Sequence, residues 1–321
     1  MTRPGPADLP DLDAILAAHR RIAPSIVRTP VVRHPALDEL VGTEVHLKCE
    51  SMQRGGSFKL RGATNAVLSL SDDEAAAGVA AHSSGNHATA LALAAAARGI
   101  PAHLVMPVDA PTAKREAVLA AGGRIIDCAR TLEARASTLA QVLADTGAHE
   151  VHPYDDPRVI AGAATAAVEL LEDVPDLDLL ISPVSGGGLL SGTALAAAAL
   201  APDCQVWGAE PAGADDAHRS LLAGRRLAGT GPGTIADGLR AELSDRTFAA
   251  IRAHVSGIVT VTDDEIVDAM RILFTVAKLV VEASGATSLA GLRALPQRLP
   301  PKVGVIVSGG NLDLGRLPFV G

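Results

Sequence analysis

Lys59 is the first group in this chain with the means to do covalent chemistry. It sits in Ser57-Phe58-Lys59-Leu60-Arg61-Gly62-Ala63, directly after Arg54-Gly55-Gly56. A lysine amine joins a carbonyl as a Schiff base. Taken alone, the residue reads as a surface charge at a helix start, where a cation is unfavourable. Ser57 is expected to cap that helix, and Phe58 offers a face for a flat ring. A second element, Ser185-Gly186-Gly187-Gly188-Leu189-Leu190-Ser191-Gly192, follows an apolar run and precedes an alanine-rich one. Successive glycine N–H groups at a helix N-terminus cradle a phosphate. No Gly-Lys-Ser/Thr follows, and the spacing is not that of a dinucleotide loop.

Two smaller motifs complete the set. Ser83-Ser84-Gly85-Asn86-His87 stands at a strand-to-helix junction. Its hydroxyls, amide and N–H groups suit a carboxylate or a phenolic oxygen, and equally suit a plain N-cap. His82 and His87 also fit as packed, hydrogen-bonded imidazoles. Ser308-Gly309-Gly310-Asn311 ends the last apolar run, where ligands sit at the carboxyl ends of parallel strands. A serine there offers a hydroxyl to a ring nitrogen. An amine, a phosphate cradle and a ring-nitrogen partner together point to pyridoxal phosphate. Glu210-Pro211-Ala212-Gly213-Ala214-Asp215-Asp216 offers hard oxygen donors for Mg²⁺, Ca²⁺ or Mn²⁺, although its spacing alone reads as an acidic, helix-capping loop.

The elements that must hold these groups alternate. Helical periodicity marks residues 11–23, 62–70, 88–98, 113–121, 132–145, 159–171, 189–201, 263–278 and 284–295. Extended runs mark residues 29–32, 44–50, 78–82, 102–106, 124–128, 177–183, 205–210 and 302–308. Strand-helix alternation with continuously apolar strands predicts an α/β fold, with parallel or mixed sheets flanked by helices. Residues 78–152 read as a small α/β domain inserted in a larger one made of 1–77 and 153–321.

Composition narrows the function. The chain is 48% apolar but only 2% aromatic, so its core is aliphatic. A net charge of −8 argues against nucleic acid or an anionic membrane as partner. A local cationic pocket from Arg130, Arg135 or Arg240 remains compatible with it. Cys49, Cys128 and Cys204 are widely spaced, as expected of reduced, buried thiols in a cytoplasmic protein. The proline-rich, acidic residues 1–13 lack the pattern of a signal peptide, and no apolar run is expected to span a membrane.

In this order, the motifs resemble those of the fold-type II pyridoxal-phosphate enzymes (the tryptophan synthase β-like fold). The nearest branch is the serine/threonine dehydratases and serine racemases, and the likeness runs from Ile22 to Asn311. The resemblance implies pyridoxal 5′-phosphate as cofactor, with Lys59 as the Schiff-base residue and Phe58 against the ring. It implies Asn86 at the 3′-oxygen, Gly186, Gly187, Gly188 and Leu189 at the phosphate, and Ser308 at the pyridine nitrogen. Ser83, Ser84, His87 and, more loosely, Arg135 would meet an amino-acid substrate, with Lys59 and Ser84 as the acid-base pair. Glu210, Ala214 and Asp216 match that branch's divalent-cation site, and a homodimer is implied.

The sequence departs from the pattern at Ser185, at Ala163-Ala164 and at Ala283. No regulatory domain is expected after Asn311. The implied reaction is β-elimination of water from L-threonine or L-serine, followed by hydrolysis of the product to a 2-oxo acid and ammonia. Serine racemase, threo-3-hydroxyaspartate dehydratase and a non-catalytic cofactor-binding regulatory paralogue are the alternatives. Neutral Ser308 stabilises a protonated ring less than an aspartate would, which favours prompt loss of a β-leaving group.

Overall fold

The computed structural model describes residues 9–231, 233–313, 315, 317 and 318. Residues 1–8 of the N-terminal stretch read above lie outside them. Two sheets organise the chain. The larger has the order β1-β2-β10-β7-β8-β9. Its strands are β1 (Val31–Val32), β2 (Glu44–Cys49), β7 (Leu179–Pro183), β8 (Gln205–Pro211), β9 (Gly257–Val261) and β10 (Lys302–Val307). All pairings are parallel except β1 on β2, which makes this sheet mixed. The smaller sheet is parallel, in the order β5-β4-β3-β6. It is built from β3 (Val79–His82), β4 (Ala102–Pro107), β5 (Arg124–Cys128) and β6 (His149–Glu150).

Helices cover both sheets. The N-terminal helices are α1 (Leu12–Ile22), α2 (Pro35–Val41), α3 (Lys59–Ser69) and α4 (Asp72–Ala75). Between the smaller sheet's strands run α5 (Asn86–Arg98), α6 (Thr112–Ala120) and α7 (Leu132–Thr146), followed by α8 (Pro157–Asp173). The larger sheet adds α9 (Gly188–Leu200), α10 (Asp216–Ala223), α11 (Asp245–His254), α12 (Asp263–Thr275) and α13 (Ala283–Arg293). Residues of α12 and α13 pack on one face of the large sheet, and α8, α9 and α11 on the other.

With few aromatic rings to fill space, helices approach backbone to backbone. A Cβ on Gly62 would lie 2.8 Å from the Val159 carbonyl, and one on Gly162 would lie 2.7 Å from the Gly62 Cα. A Cβ on Gly192 would meet the Ile160 carbonyl at 2.8 Å. Glycine is therefore required for room where α3 and α9 both rest on α8.

Several sequence expectations change. The helix expected over residues 62–70 begins at Lys59. The one expected over 263–278 ends at Thr275, and Lys278 has φ 59°. Ser57 caps nothing: Phe58 is the N-cap of α3, and the buried Ser57 hydroxyl has no hydrogen-bond partner. Among the described residues no helix is long and apolar enough to cross a membrane.

Beneath Lys59 lies a buried ionic cluster. Arg61 donates to both oxygens of Glu50 at 2.8 Å and to Glu169 at 2.7 and 2.8 Å. Lys48 donates to Glu169 at 2.6 Å. The four side chains are at most 2% exposed and sum to zero charge. Burying such a set costs desolvation, offset only when each charge is bonded, as here. It clasps residue 50 to residue 61 and so fixes the turn that presents the lysine.

Candidate active site

The sequence motifs converge at the carboxyl ends of the parallel strands. Lys59 follows β2, the glycine loop follows β7, Ser308 ends β10 and Ser83 follows β3. The Lys59 amine donates to the Pro153 carbonyl at 2.8 Å and sits 5.1 Å from the centre of the Phe58 ring. It keeps partial exposure although protein surrounds it. Burial pushes its pKa down to about 8. No carboxylate is hydrogen-bonded to it. Instead His82, His87 and His152 are all held below the usual histidine range, first by burial, and Lys59's own charge adds to the effect at His87 and His152. His87 is pushed to about 3 and His152 to about 4. The lowering of Lys59 itself has burial as its cause.

The lysine turn is tied to the far strand. Phe58 N–H donates to the Ser308 carbonyl at 3.0 Å, and Ser57 pairs with Gly309 as an antiparallel bridge. The buried Ser308 hydroxyl has only a 3.5 Å contact with the Ser284 carbonyl, so it is free to meet a ring nitrogen.

The glycine loop opens α9, with Gly187 as N-cap at φ 87°, a backbone that glycine alone adopts without strain. Among the described residues, none accepts a hydrogen bond from the N–H groups of Gly186, Gly187, Gly188 or Leu189. Orphan donors at a helix start fit a phosphate. Ser185, the departure noted above, clips this loop in place: its hydroxyl accepts from Ala241 N–H at 2.9 Å and donates to the Ala241 carbonyl at 3.2 Å.

Opposite lies the Ser83–His87 turn. Its polar side chains do not cap α5, whose N-cap is Gly85 without a side-chain bond. The helix start is thus open to an anion. Asn86 donates to Glu282 at 2.7 Å and accepts from Asn311 at 3.0 Å. His87 is buried and its Nε2 donates to the Val151 carbonyl at 2.9 Å, leaving Nδ1 without a partner. Arg135, on α7, is half-buried, and its Nε is buried without a hydrogen-bond partner. Its charge helps lower the pKa of His82, the residue before the Ser83 turn. Arg130 and Arg240 are exposed. The first pairs with Asp109 at 3.5 Å, and the second donates to the Thr234 carbonyl at 2.5 Å.

Matching this set against family models decides the matter: residues 22–309 match the model described as pyridoxal-phosphate dependent enzyme. The chain belongs to that family. This pyridoxal-phosphate enzyme is 49% identical to the β-hydroxyaspartate dehydratase of Paracoccus denitrificans (strain Pd 1222), over 97% of this chain and 99% of that one. It is 45% identical to the serine racemase of Arabidopsis thaliana, over 96% and 95%. The structure of maize serine racemase superposes with a TM-score of 0.93 at 45% identity, covering 95% and 94%. The chain is therefore a member of the ammonia-lyase and racemase branch, with that family's α/β fold.

Glu210 and Asp216 lie together at the end of β8, beside the buried Ala214. Glu210 accepts from Ala217 and His218 N–H at 3.0 and 2.8 Å, so it caps α10 as the loop's bland reading expected. Burial pushes Glu210 up to about 8 and Asp216 up to about 6. Asp216 Oδ2 is buried with no hydrogen-bond partner. An orphaned, buried carboxylate oxygen beside a second carboxylate fits a divalent cation. No cluster of three or more acidic, histidine or cysteine side chains suited to a metal exists among the described residues, so backbone carbonyls and water would complete the shell. Cys49, Cys128 and Cys204 are free and buried.

Sequence reasoning missed His152, Pro153, Tyr154 and Glu282. Glu282 is buried, and burial pushes its carboxyl up to about 8 behind Asn86. No glycine or lysine motif announces His152, Pro153 or Tyr154, which reach the site only through the fold, and Glu282 stands in the 282–286 motif only as the neighbour of the departure at Ala283.

Proposed function

We propose that this chain eliminates water from β-hydroxy amino acids that carry a second carboxylate, the dehydrated product then taking up water to give a 2-oxo acid and ammonia, with threo-3-hydroxyaspartate favoured over L-serine and L-threonine. The observation that carries the choice is Arg135: a half-buried guanidinium whose buried Nε has no hydrogen-bond partner, with no salt bridge among the described residues, and whose charge reaches His82 just before the Ser83 turn. The relative named for β-hydroxyaspartate supports the reading. It revises the preference for serine or threonine that the motifs alone imply.

Bound pyridoxal phosphate supplies an aldehyde for amine capture and a ring that withdraws electrons from the substrate's Cα. Lys59 would hold that aldehyde until the substrate's own amine takes its place there, and the freed Lys59 amine, its pKa lowered by burial, would then take the Cα proton while the β-hydroxyl leaves with a proton as water. Gly186, Gly187, Gly188 and Leu189 bind the phosphate, Phe58 lies at the ring, Asn86 meets the 3′-oxygen and Ser308 the ring nitrogen. Ser83, Ser84, His87 and the start of α5 hold the α-carboxylate, and Arg135 holds the second one. Glu210, Asp216 and the Ala214 carbonyl bind Mg²⁺, or Ca²⁺ or Mn²⁺ in its place. Residues 78–152 form a small domain inserted in the rest, in a cytoplasmic homodimer. A second reading, serine racemisation, is favoured by the Ser84 hydroxyl, which has no hydrogen-bond partner among the described residues and so is free to return a proton.

The test is 2-oxo acid formation from threo-3-hydroxyaspartate, L-serine and L-threonine, with and without Mg²⁺, alongside chiral analysis of recovered serine. Higher kcat/KM for hydroxyaspartate supports the proposal. Serine turned over faster than hydroxyaspartate removes it, and D-serine as main product selects the second reading.

A further inference from the structure

We infer that Tyr154 sets the grip of the phosphate cradle, as a positioning residue that discriminates a phosphorylated cofactor from its unphosphorylated aldehyde. This rests on the pyridoxal-phosphate reading of the Gly186–Leu189 loop and is independent of the substrate proposed.

The argument begins with Gly186. Its φ is not positive, so its backbone does not demand glycine. Space does: a Cβ there would lie 2.5 Å from Tyr154 Cγ. A Cβ on Gly188 would lie 2.9 Å from Tyr154 Cβ. On its other side the loop meets α11 and the turn before it, since a Cβ on Gly187 would sit 2.7 Å from Thr247 Cβ and 2.8 Å from Leu243 Cδ2. The loop is thus sandwiched between Tyr154 and the Leu243–Thr247 turn.

The two walls are joined. Asp155 accepts from Ser244 Oγ at 2.9 Å and pairs with Arg246 at 2.5 Å. Ser244 and Thr247 are bonded reciprocally as the capping box of α11. His152 meets the Tyr154 ring edge-on at 4.6 Å, and its Nδ1 accepts from Asp155 N–H at 2.9 Å. Arg246 pairs with Asp155, while the Asp155, Glu242 and Asp216 carboxylates and the Arg226 guanidinium all act on Tyr154. Pro153, one residue earlier, holds Lys59. One connector between β6 and α8 therefore touches both the amine that holds the aldehyde and the loop that holds the phosphate. An aromatic face that keeps water off the loop strengthens each N–H bond to an anion and fixes the loop beforehand.

The experiment strips the holoenzyme of its cofactor and titrates pyridoxal phosphate and, separately, pyridoxal, following absorbance. The variants are Tyr154→Phe, Tyr154→Ala, Gly186→Ala and the double variant Gly186→Ala/Tyr154→Ala. Tyr154→Phe keeps the packing and is expected to hold both aldehydes within about twofold of wild type, whereas Tyr154→Ala weakens pyridoxal phosphate by about tenfold with pyridoxal unchanged. Gly186→Ala alone loses pyridoxal phosphate, and the double variant regains part of it. Wild-type affinity in Tyr154→Ala, or an equal loss of both aldehydes, overturns the inference. Should Tyr154→Ala not fold, Tyr154→Leu serves, because a branched chain does not lie across both glycines. An unchanged preference for the phosphorylated aldehyde in that variant is equally fatal. A protein that shows the preference yet dehydrates no hydroxy amino acid upholds the inference while removing the proposed function.

Discussion

Replacing Lys59 by methionine is expected to change how the cofactor-free protein's stability depends on pH. The amine is ordinarily protonated below 10.5 but only below about 8 in the folded chain. Between those values the unfolded chain holds the proton and the folded chain does not. Stability contributed by the neutral amine therefore rises with pH from about 8 to 10.5, and is absent below 8. At 1.36 kcal/mol per pKa unit the whole gap is worth about 3 kcal/mol. The bond from the amine to the Pro153 carbonyl favours the charged form, and partial exposure softens the burial. About 2 kcal/mol is thus the expected rise once these are allowed for. Urea unfolding at a series of pH values, for wild type and Lys59→Met, isolates the effect, since all other titrating groups are shared. The wild-type curve should climb relative to the variant across this window. Parallel curves would show that Lys59 is solvated like a surface lysine, and the argument for a ready base would fall with it.

Other perturbations read different parts of the site. Arg135→Met should lower kcat/KM for threo-3-hydroxyaspartate by about 10- to 150-fold, the worth of a charge-assisted bond, and leave L-serine within about threefold; equal losses on both substrates refute the assignment. Millimolar Mg²⁺ should stabilise the wild type by about 2.7 kcal/mol at a hundredfold excess over Kd, seen as a higher melting temperature that chelation reverses. Asp216→Asn should abolish that response, and a persisting response places the ion elsewhere. Glu50→Gln removes one charge from the buried cluster under Lys59 and is expected to cost about 3–5 kcal/mol in denaturant unfolding; a change under about 1 kcal/mol would mean that water reaches the cluster.

What the sequence made legible was local chemistry. Lys59, the Gly186–Gly188 loop and the Ser83 turn are contiguous stretches whose backbone and side chains act together, and their flanking apolar runs placed them on strand ends. Residues 212–262 were read poorly. Helix α10 is capped by Glu210 from the preceding strand, not by a local side chain. Helix α11 carries a serine–threonine box in place of the usual glutamate. Strand β9 is a half-buried edge whose alternation is short. Tyr154 was invisible for another reason: a lone tyrosine in a polar connector has no periodicity, and its meaning arises only when β7 delivers the glycine loop beneath it. Ser57, read as a cap, instead pairs with Gly309, a contact 252 residues away that no local pattern encodes.

The seam where α3 and α9 touch α8 through Gly62, Gly162 and Gly192 has a consequence for engineering. Amine and anion cradle ride on one common shaft, spaced by main chain and not by adjustable side chains. The helix starts that carry them are therefore held at a fixed spacing, and only the lysine side chain itself adjusts the reach. Mutant libraries that aim to accept a longer or shorter aldehyde cofactor will gain little by varying residues around the cleft. The spacing can change only if one of these three positions gains a methyl group and a whole helix is displaced with it.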